Sequence, residues 1–146
     1  MTNYFKQQGS IALKIWIYEL AINSLQEVFH KEKTLRLRDS LSSLVNLLKR
    51  SGSYEDETYV KELMNKLPSK PRGYVRRGEI GPLEMKSWLI DLALDELEKQ
   101  SELNIEKVEE LQKWMNISAF GMLNIHVDVR VKFIHQQKRV KSLLRA

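Results

Sequence analysis

The sequence predicts an all-α fold of five or six helices that form a single domain over residues 1–146. Apolar residues recur every three or four positions along most of the chain, which is the period of a helix with one buried face. All three prolines and three of the six glycines fall between residues 68 and 82, so the chain has one main interruption. A composition of 42% hydrophobic and 29% charged residues is that of an ordinary globular domain with its own core.

The first helix is expected over residues 10–30. Ser10 is a suitable N-cap, because its hydroxyl can accept a hydrogen bond from an orphan backbone N–H. Further apolar residues widen the buried face, which indicates a helix in the centre of the fold or in an interface between copies. Apolar residues at steps of four and three define this face: Ile11, Ile15, Tyr18, Ile22, Leu25 and Phe29.

The second and third helices are expected on either side of Gly52. Residues 34–50 carry a stripe of leucines, and Gly52 suits the left-handed conformation that ends many helices. Ser53 and Asp56 then resemble a capping box, with the shorter acid in place of glutamate. The leucine stripe comprises Leu37, Leu41, Leu44 and Leu48, and the third helix is expected to bury Tyr59, Leu63 and Leu67.

The segment 68–82 cannot form a regular helix, because proline removes a backbone donor and clashes with the preceding turn. Connections this long are usually functional or mobile. It is predicted to be a basic surface loop, although it could also be a linker between two helical halves.

Two acidic helices are expected after this segment, one over 82–100 with Pro82 in its first turn and one from Asn104. The inward residues of the first include Met85, Trp88, Leu89, Leu92, Ala93 and Leu97. Those of the second are Ile105, Val108, Leu111 and Met115.

The last segment, 116–146, fits two patterns. As a helix it aligns Leu123, Val127, Val131 and Ile134 at steps of four, four and three. As a strand it alternates apolar and polar residues over 125–133. A strand needs a pairing partner, and no other segment offers one, so we favour the helix.

Charge is distributed unevenly along the chain, whose formal net charge is +5. Residues 66–77 contain lysine and arginine but no acid, residues 78–110 are mainly acidic, and residues 111–146 are again basic. Such a layout indicates surfaces for partners of opposite charge.

Several kinds of chemistry are not expected. The chain has no cysteine, which excludes disulfides, thiolate metal sites and cysteine nucleophiles. None of its histidines lies three or four residues from another histidine or from a cluster of acids, and the acids of 82–110 do not form the Glu-x-x-His pattern of di-iron bundles. Phosphate-loop and serine-hydrolase fingerprints are also absent. We therefore expect no cofactor and no metal, and regard an enzyme as the weaker alternative.

One short pattern resembles a known family. Arg130 and His135 have the R-x4-H spacing of HEPN-type ribonucleases, which are small helical proteins. The resemblance implies that these two side chains would meet their counterparts at a dimer interface and cleave RNA. It covers six residues, and Val131 stands where that family often has a polar residue.

The basic segments indicate a binding surface more strongly than the R-x4-H spacing indicates catalysis. Cations neutralise phosphates, and a tyrosine can stack on an unpaired base, so the predicted function is non-catalytic binding of RNA or DNA. The alternative is an adaptor or self-assembling protein whose basic segments meet acidic helices of the same chain, of another copy or of another protein. The predicted binding residues form a basic loop (Lys70, Arg72, Tyr74, Arg76 and Arg77) and a basic tail (Arg130, Lys132, Lys138, Arg139 and Lys141).

The N-terminal sequence does not resemble a signal peptide, because Lys14 and Glu19 interrupt its apolar part. No apolar stretch is long enough for a membrane span. A cytoplasmic protein is therefore expected.

Overall fold

The computed structural model describes residues 2–67, 82–115 and 127–145, and the side chains of 11–67, 83–115 and 127–145. These residues form six α-helices and no strand, which confirms the predicted all-α fold. The segment expected to be a basic loop, 68–82, lies outside the described residues except for Pro82. The helices are α1 (Thr2–Glu27), α2 (Lys31–Ser51), α3 (Tyr54–Asn65), α4 (Pro82–Lys99), α5 (Ile105–Met115) and α6 (Val127–Arg145).

Contacts divide the chain into two compact units, and α1 contributes to both. One unit comprises Met1–Ile17 and Pro82–Ala146, and the other comprises Tyr18–Gly81. Whether the two units form the single domain expected from length stays a prediction.

The unit Tyr18–Gly81 is built from the second part of α1 with α2 and α3. The predicted leucine stripe of α2 is confirmed, since Leu37, Leu41, Leu44 and Leu48 are all buried. Gly52 caps α2 with φ +73°, and its N–H donates to the carbonyls of the last turn, as the sequence predicted. The chain can therefore reverse direction before α3 begins at Tyr54.

Four details of the helix ends and faces differ from expectation. Ser10 does not cap α1, because the helix begins at Thr2 and runs through it. Phe29 is exposed, since α1 ends at Glu27 and His30 instead caps α2 by accepting from the Lys33 N–H at 3.1 Å. Ser53 precedes α3 but makes no side-chain capping bond. Tyr59, which was expected to be buried, is 40% exposed, because Val60 takes the buried position. The Tyr59 hydroxyl instead donates a hydrogen bond to Glu19 at 2.7 Å.

The other unit is built from the first part of α1 with α4, α5 and α6. Helix α6 packs against both α4 and α5. Two lysines of the acidic helices lie over indole rings, Lys86 at 5.0 Å from the centre of Trp114 and Lys107 at 4.2 Å from that of Trp16. Burial, with the nearby charge of Lys14, lowers the pKa of Lys86. These lysines support packing as well as carrying charge.

Helix α6 resolves the ambiguity of the last segment, because residues 127–133 are helical. The predicted apolar stripe on this helix is wrong, however. Val127, Val131 and Ile134 are exposed, whereas Val129, Phe133 and Val140 are buried with Gln136. Ile105 at the start of α5 is likewise exposed.

Phe133 and Val131 provide a test of this helical register. Phe133 is 1% exposed and Val131 is 45% exposed, although a strand would place both on one face. We expect Phe133→Ala to lower the free energy of unfolding by about 3–5 kcal/mol, because it leaves a cavity in the core. Val131→Ala should change it by less than about 0.5 kcal/mol. Equal losses in urea denaturation would contradict the register.

Candidate nucleic-acid interface

The predicted binding residues divide into a described and an undescribed group. The basic loop, with Lys70, Arg72, Tyr74, Arg76 and Arg77, lies outside the described residues. All five residues of the basic tail lie on α6, and they point in different directions around it. The geometry of the candidate site is therefore the geometry of this helix and of its neighbours α4 and α5.

One side of α6 carries an ion-pair cluster with α4. Arg139 Nη2 lies 2.8 Å from Asp95 Oδ1, Arg139 Nη1 lies 3.4 Å from Asp91 Oδ1, and the guanidinium also binds both oxygens of Glu98. The three acids are spaced by four and three residues, so they share one face of α4. The hydrogen bond to Glu98 raises the pKa of Arg139 further above its already high value; burial opposes this effect, and Asp95 adds to it.

Lys132 extends this cluster. Its Nζ lies 3.9 Å from Asp91 Oδ2, although its side chain stays largely exposed. Two of the predicted binding residues, Arg139 and Lys132, thus face carboxylates of the same chain. This is one of the pairings that the sequence left open for the acidic helices.

Gln136 anchors α6 beside the cluster. It is 2% exposed, and its Nε2 donates to the Ser87 carbonyl at 2.8 Å and to Asp91 Oδ1 at 2.7 Å. Breaking such a bond would leave a buried polar group unpaired, which costs more than the bond itself contributes. Gln136 and Arg139 thus both lie on the side of α6 that meets α4.

The opposite side of α6 carries cations that α4 does not neutralise. Lys138, Lys141 and Arg145 are exposed, and no carboxylate of the described residues lies within ion-pair distance of them. Their spacing of three and four residues places them in one row on the helix. We call these three residues the basic row.

The exposed valines and isoleucine continue the basic row towards the start of α6. Val127, Val131 and Ile134 are 61%, 45% and 41% exposed. With the basic row they form one stripe at steps of four, three, four, three and four, apolar in its first half and cationic in its second. The sequence pattern identified the alignment of the apolar half but not its exposure.

A cleft lies between α5 and α6, next to the basic row. Its volume is about 220 Å³, and its lining residues are Gln112, Met115, Gln137, Val140 and Lys141. Met115 and Val140 are buried, while the two glutamines and Lys141 are exposed at its rim. Sequence reasoning did not find the glutamines, because a polar residue on an exposed helix position carries no signal of its own.

Among the described residues, no group of three or more His, Cys, Asp or Glu side chains could hold a metal ion. Arg130 and His135 both lie on α6, and a separation of five residues turns them about 140° apart around the helix. No described helix is both long enough and apolar enough to cross a membrane.

Comparisons of the chain with protein-family models, with curated proteins and with solved structures give no match.

The ion-pair cluster makes a prediction about stability. Arg139→Met removes a cation that bridges the three α4 acids, and the remaining like charges repel one another. We expect the free energy of unfolding to fall by about 1–2 kcal/mol, a range that allows for partial solvent screening. Lys138→Met, the neighbouring position with the same change of charge, should alter it by less than about 0.5 kcal/mol. Similar values for both variants in urea denaturation would contradict the role assigned to Arg139.

Proposed function

We propose that the protein is a non-catalytic nucleic-acid-binding accessory protein whose basic row contacts phosphates. The observation that carries this proposal is the row itself: Lys138, Lys141 and Arg145 are exposed on one face of α6 and lack a carboxylate partner among the described residues. Cations held on a regular helix, away from acids, favour a polyanion as partner.

The dimensions of the basic row suit a phosphate backbone. Lys138 and Arg145 are seven residues apart, which corresponds to about 10 Å along a helix. In duplex DNA each strand advances by about 3.4 Å per nucleotide, so the row spans roughly three nucleotides. Contacts of this kind supply affinity and orientation but do not distinguish sequences.

The other predicted binding residues contribute to this proposal in two different ways. Arg139 and Lys132 support the interface indirectly, because their pairing with α4 acids keeps the basic row turned outward. The basic loop, Lys70 to Arg77, would add further phosphate contacts and a stacking tyrosine. Its contribution is proposed from sequence alone.

The basic row is tested by removing its charge. We expect the triple variant Lys138→Ala, Lys141→Ala, Arg145→Ala to bind RNA or DNA more weakly. Because each phosphate contact contributes about 0.7–0.9 to the slope of log affinity against log salt, that slope should become shallower by about 2–3. Fluorescence anisotropy with labelled oligonucleotides between about 50 and 200 mM salt measures both quantities.

A control variant removes the same charge elsewhere. Lys49→Ala, Arg50→Ala, Lys66→Ala changes three exposed cations of the other unit, and it should retain most of the slope. An equal effect of both triple variants would contradict a role for the row, and no binding to either nucleic acid at about 50 mM salt would overturn the proposal. In the same RNA samples, cleavage that is lost in His135→Ala would favour the ribonuclease alternative.

A second candidate function, self-assembly through unlike faces, is supported by a complementary surface in the unit Tyr18–Gly81. We call it the acidic patch: Glu55, Tyr59 and Glu62 at steps of four and three on α3, with Glu19 of α1 beside Tyr59. The hydrogen bond to Glu19 raises the pKa of Tyr59, and burial and the charges of Glu19 and Glu62 act in the same direction. The mixed stripe of α6 matches this aromatic and acidic patch on a second copy, and such pairing would be head-to-tail.

Reversing charge on either surface tests this candidate. Lys138→Glu, Lys141→Glu in one variant and Glu55→Lys, Glu62→Lys in another should each reduce the mass measured by light scattering, because like charges would then meet. Mixing the two variants should restore a complex, since each then carries a surface complementary to the other. A monomer at every concentration of the unaltered protein would exclude self-assembly.

A further inference from the structure

The cleft between α5 and α6 carries a more specific inference, which rests on the proposed function. It joins an apolar floor, two side-chain amides and a cation in one small space, and its cation belongs to the basic row. We propose that this cleft receives an unpaired base, so that the protein binds single-stranded nucleic acid in preference to a duplex.

The size of the cleft limits what can enter it. Its volume of about 220 Å³ is below the roughly 300 Å³ at which pockets for drug-sized ligands begin. It therefore suits one flat ring rather than a whole nucleotide or a larger cofactor. Met115 and Val140 close the floor of the cleft with apolar side chains that are almost fully buried.

The rim of the cleft matches the edge of a base. Each glutamine amide provides a donor and an acceptor side by side, and a base edge that offers the same pair can bind it with two hydrogen bonds. Adenine is the usual partner of such an amide in protein–DNA complexes. Gln112 on α5 and Gln137 on α6 thus flank an opening where an adenine edge would be recognised.

Lys141 connects the cleft to the phosphate contacts. It lines the cleft and also lies in the basic row between Lys138 and Arg145. A strand that runs along the row can therefore place one base in the cleft while its phosphates stay on the cations. In a duplex the bases are paired and stacked, so insertion would first have to break those interactions.

The experiment compares three probes of equal length and backbone charge per strand: a 12-nucleotide oligo(dA), an abasic 12-mer, and the oligo(dA)·oligo(dT) duplex. We expect the unaltered protein to bind oligo(dA) about tenfold more tightly than the abasic strand, the discrimination of one bidentate contact. It should also bind oligo(dA) more tightly than the duplex. An oligo(A) RNA of the same length is measured in parallel, and tighter binding of that strand would identify RNA as the natural source of the base.

The variant Gln112→Ala, Gln137→Ala removes the amides and keeps every charge. It should lose the preference for oligo(dA) while its affinity for the abasic strand stays unchanged. Equal binding of oligo(dA) and the abasic strand by the unaltered protein, or a parallel loss for both in the variant, would overturn the inference and leave the basic row intact. Absence of binding to every probe would instead overturn the proposed function.

Discussion

A single guanidinium, that of Arg139, binds three carboxylates on one face of α4 and so links α6 to that helix. A helix with cations on most sides could turn almost any of them towards an acidic neighbour. Arg139 and the buried amide of Gln136 favour one rotation of α6, in which both meet acids of α4. The apolar residues Val129, Phe133 and Val140 lie on the side of the helix that this rotation buries.

The cations of the last helix therefore fall into two groups with different surroundings. Arg139 and Lys132 neutralise acids of α4, so the acidic middle of the chain is partly compensated within the same unit. The basic row has no such compensation among the described residues, and it contributes to a surface of positive potential. Net charge alone could not separate the two groups, because both are lysines and arginines only a few positions apart.

Much of the fold could be predicted from sequence, because helix period, glycine and proline are strong local signals. The boundaries of α2, α3, α4 and α5 differ from expectation by only a few residues. The face of α6 could not be predicted, since its exposed stripe of Val127, Val131 and Ile134 has as good a period as its buried one. The buried face pairs with α4 through long-range contacts, forty-five residues apart for Gln136 and Asp91, and no local pattern reports them. The amides at the cleft were missed for the same reason, since tertiary packing alone brings Gln112 and Gln137 together.

Gln136 and the basic row lie close together along the chain of α6. Their relative positions around the helix therefore depend on the number of residues between them. One residue inserted between Gln136 and Lys138 would turn the basic row, together with Arg139 and Val140, by about 100° around the helix axis relative to Gln136, so Gln136 and Arg139 could not both keep their partners on α4. The same insertion before Gln136 would leave the row and its anchors in phase with each other. The direction in which the cations of the basic row face thus depends on how many residues separate them from Gln136, as well as on the chemistry of these side chains. Sequence change in this helix is therefore more tolerable as substitution than as insertion or deletion.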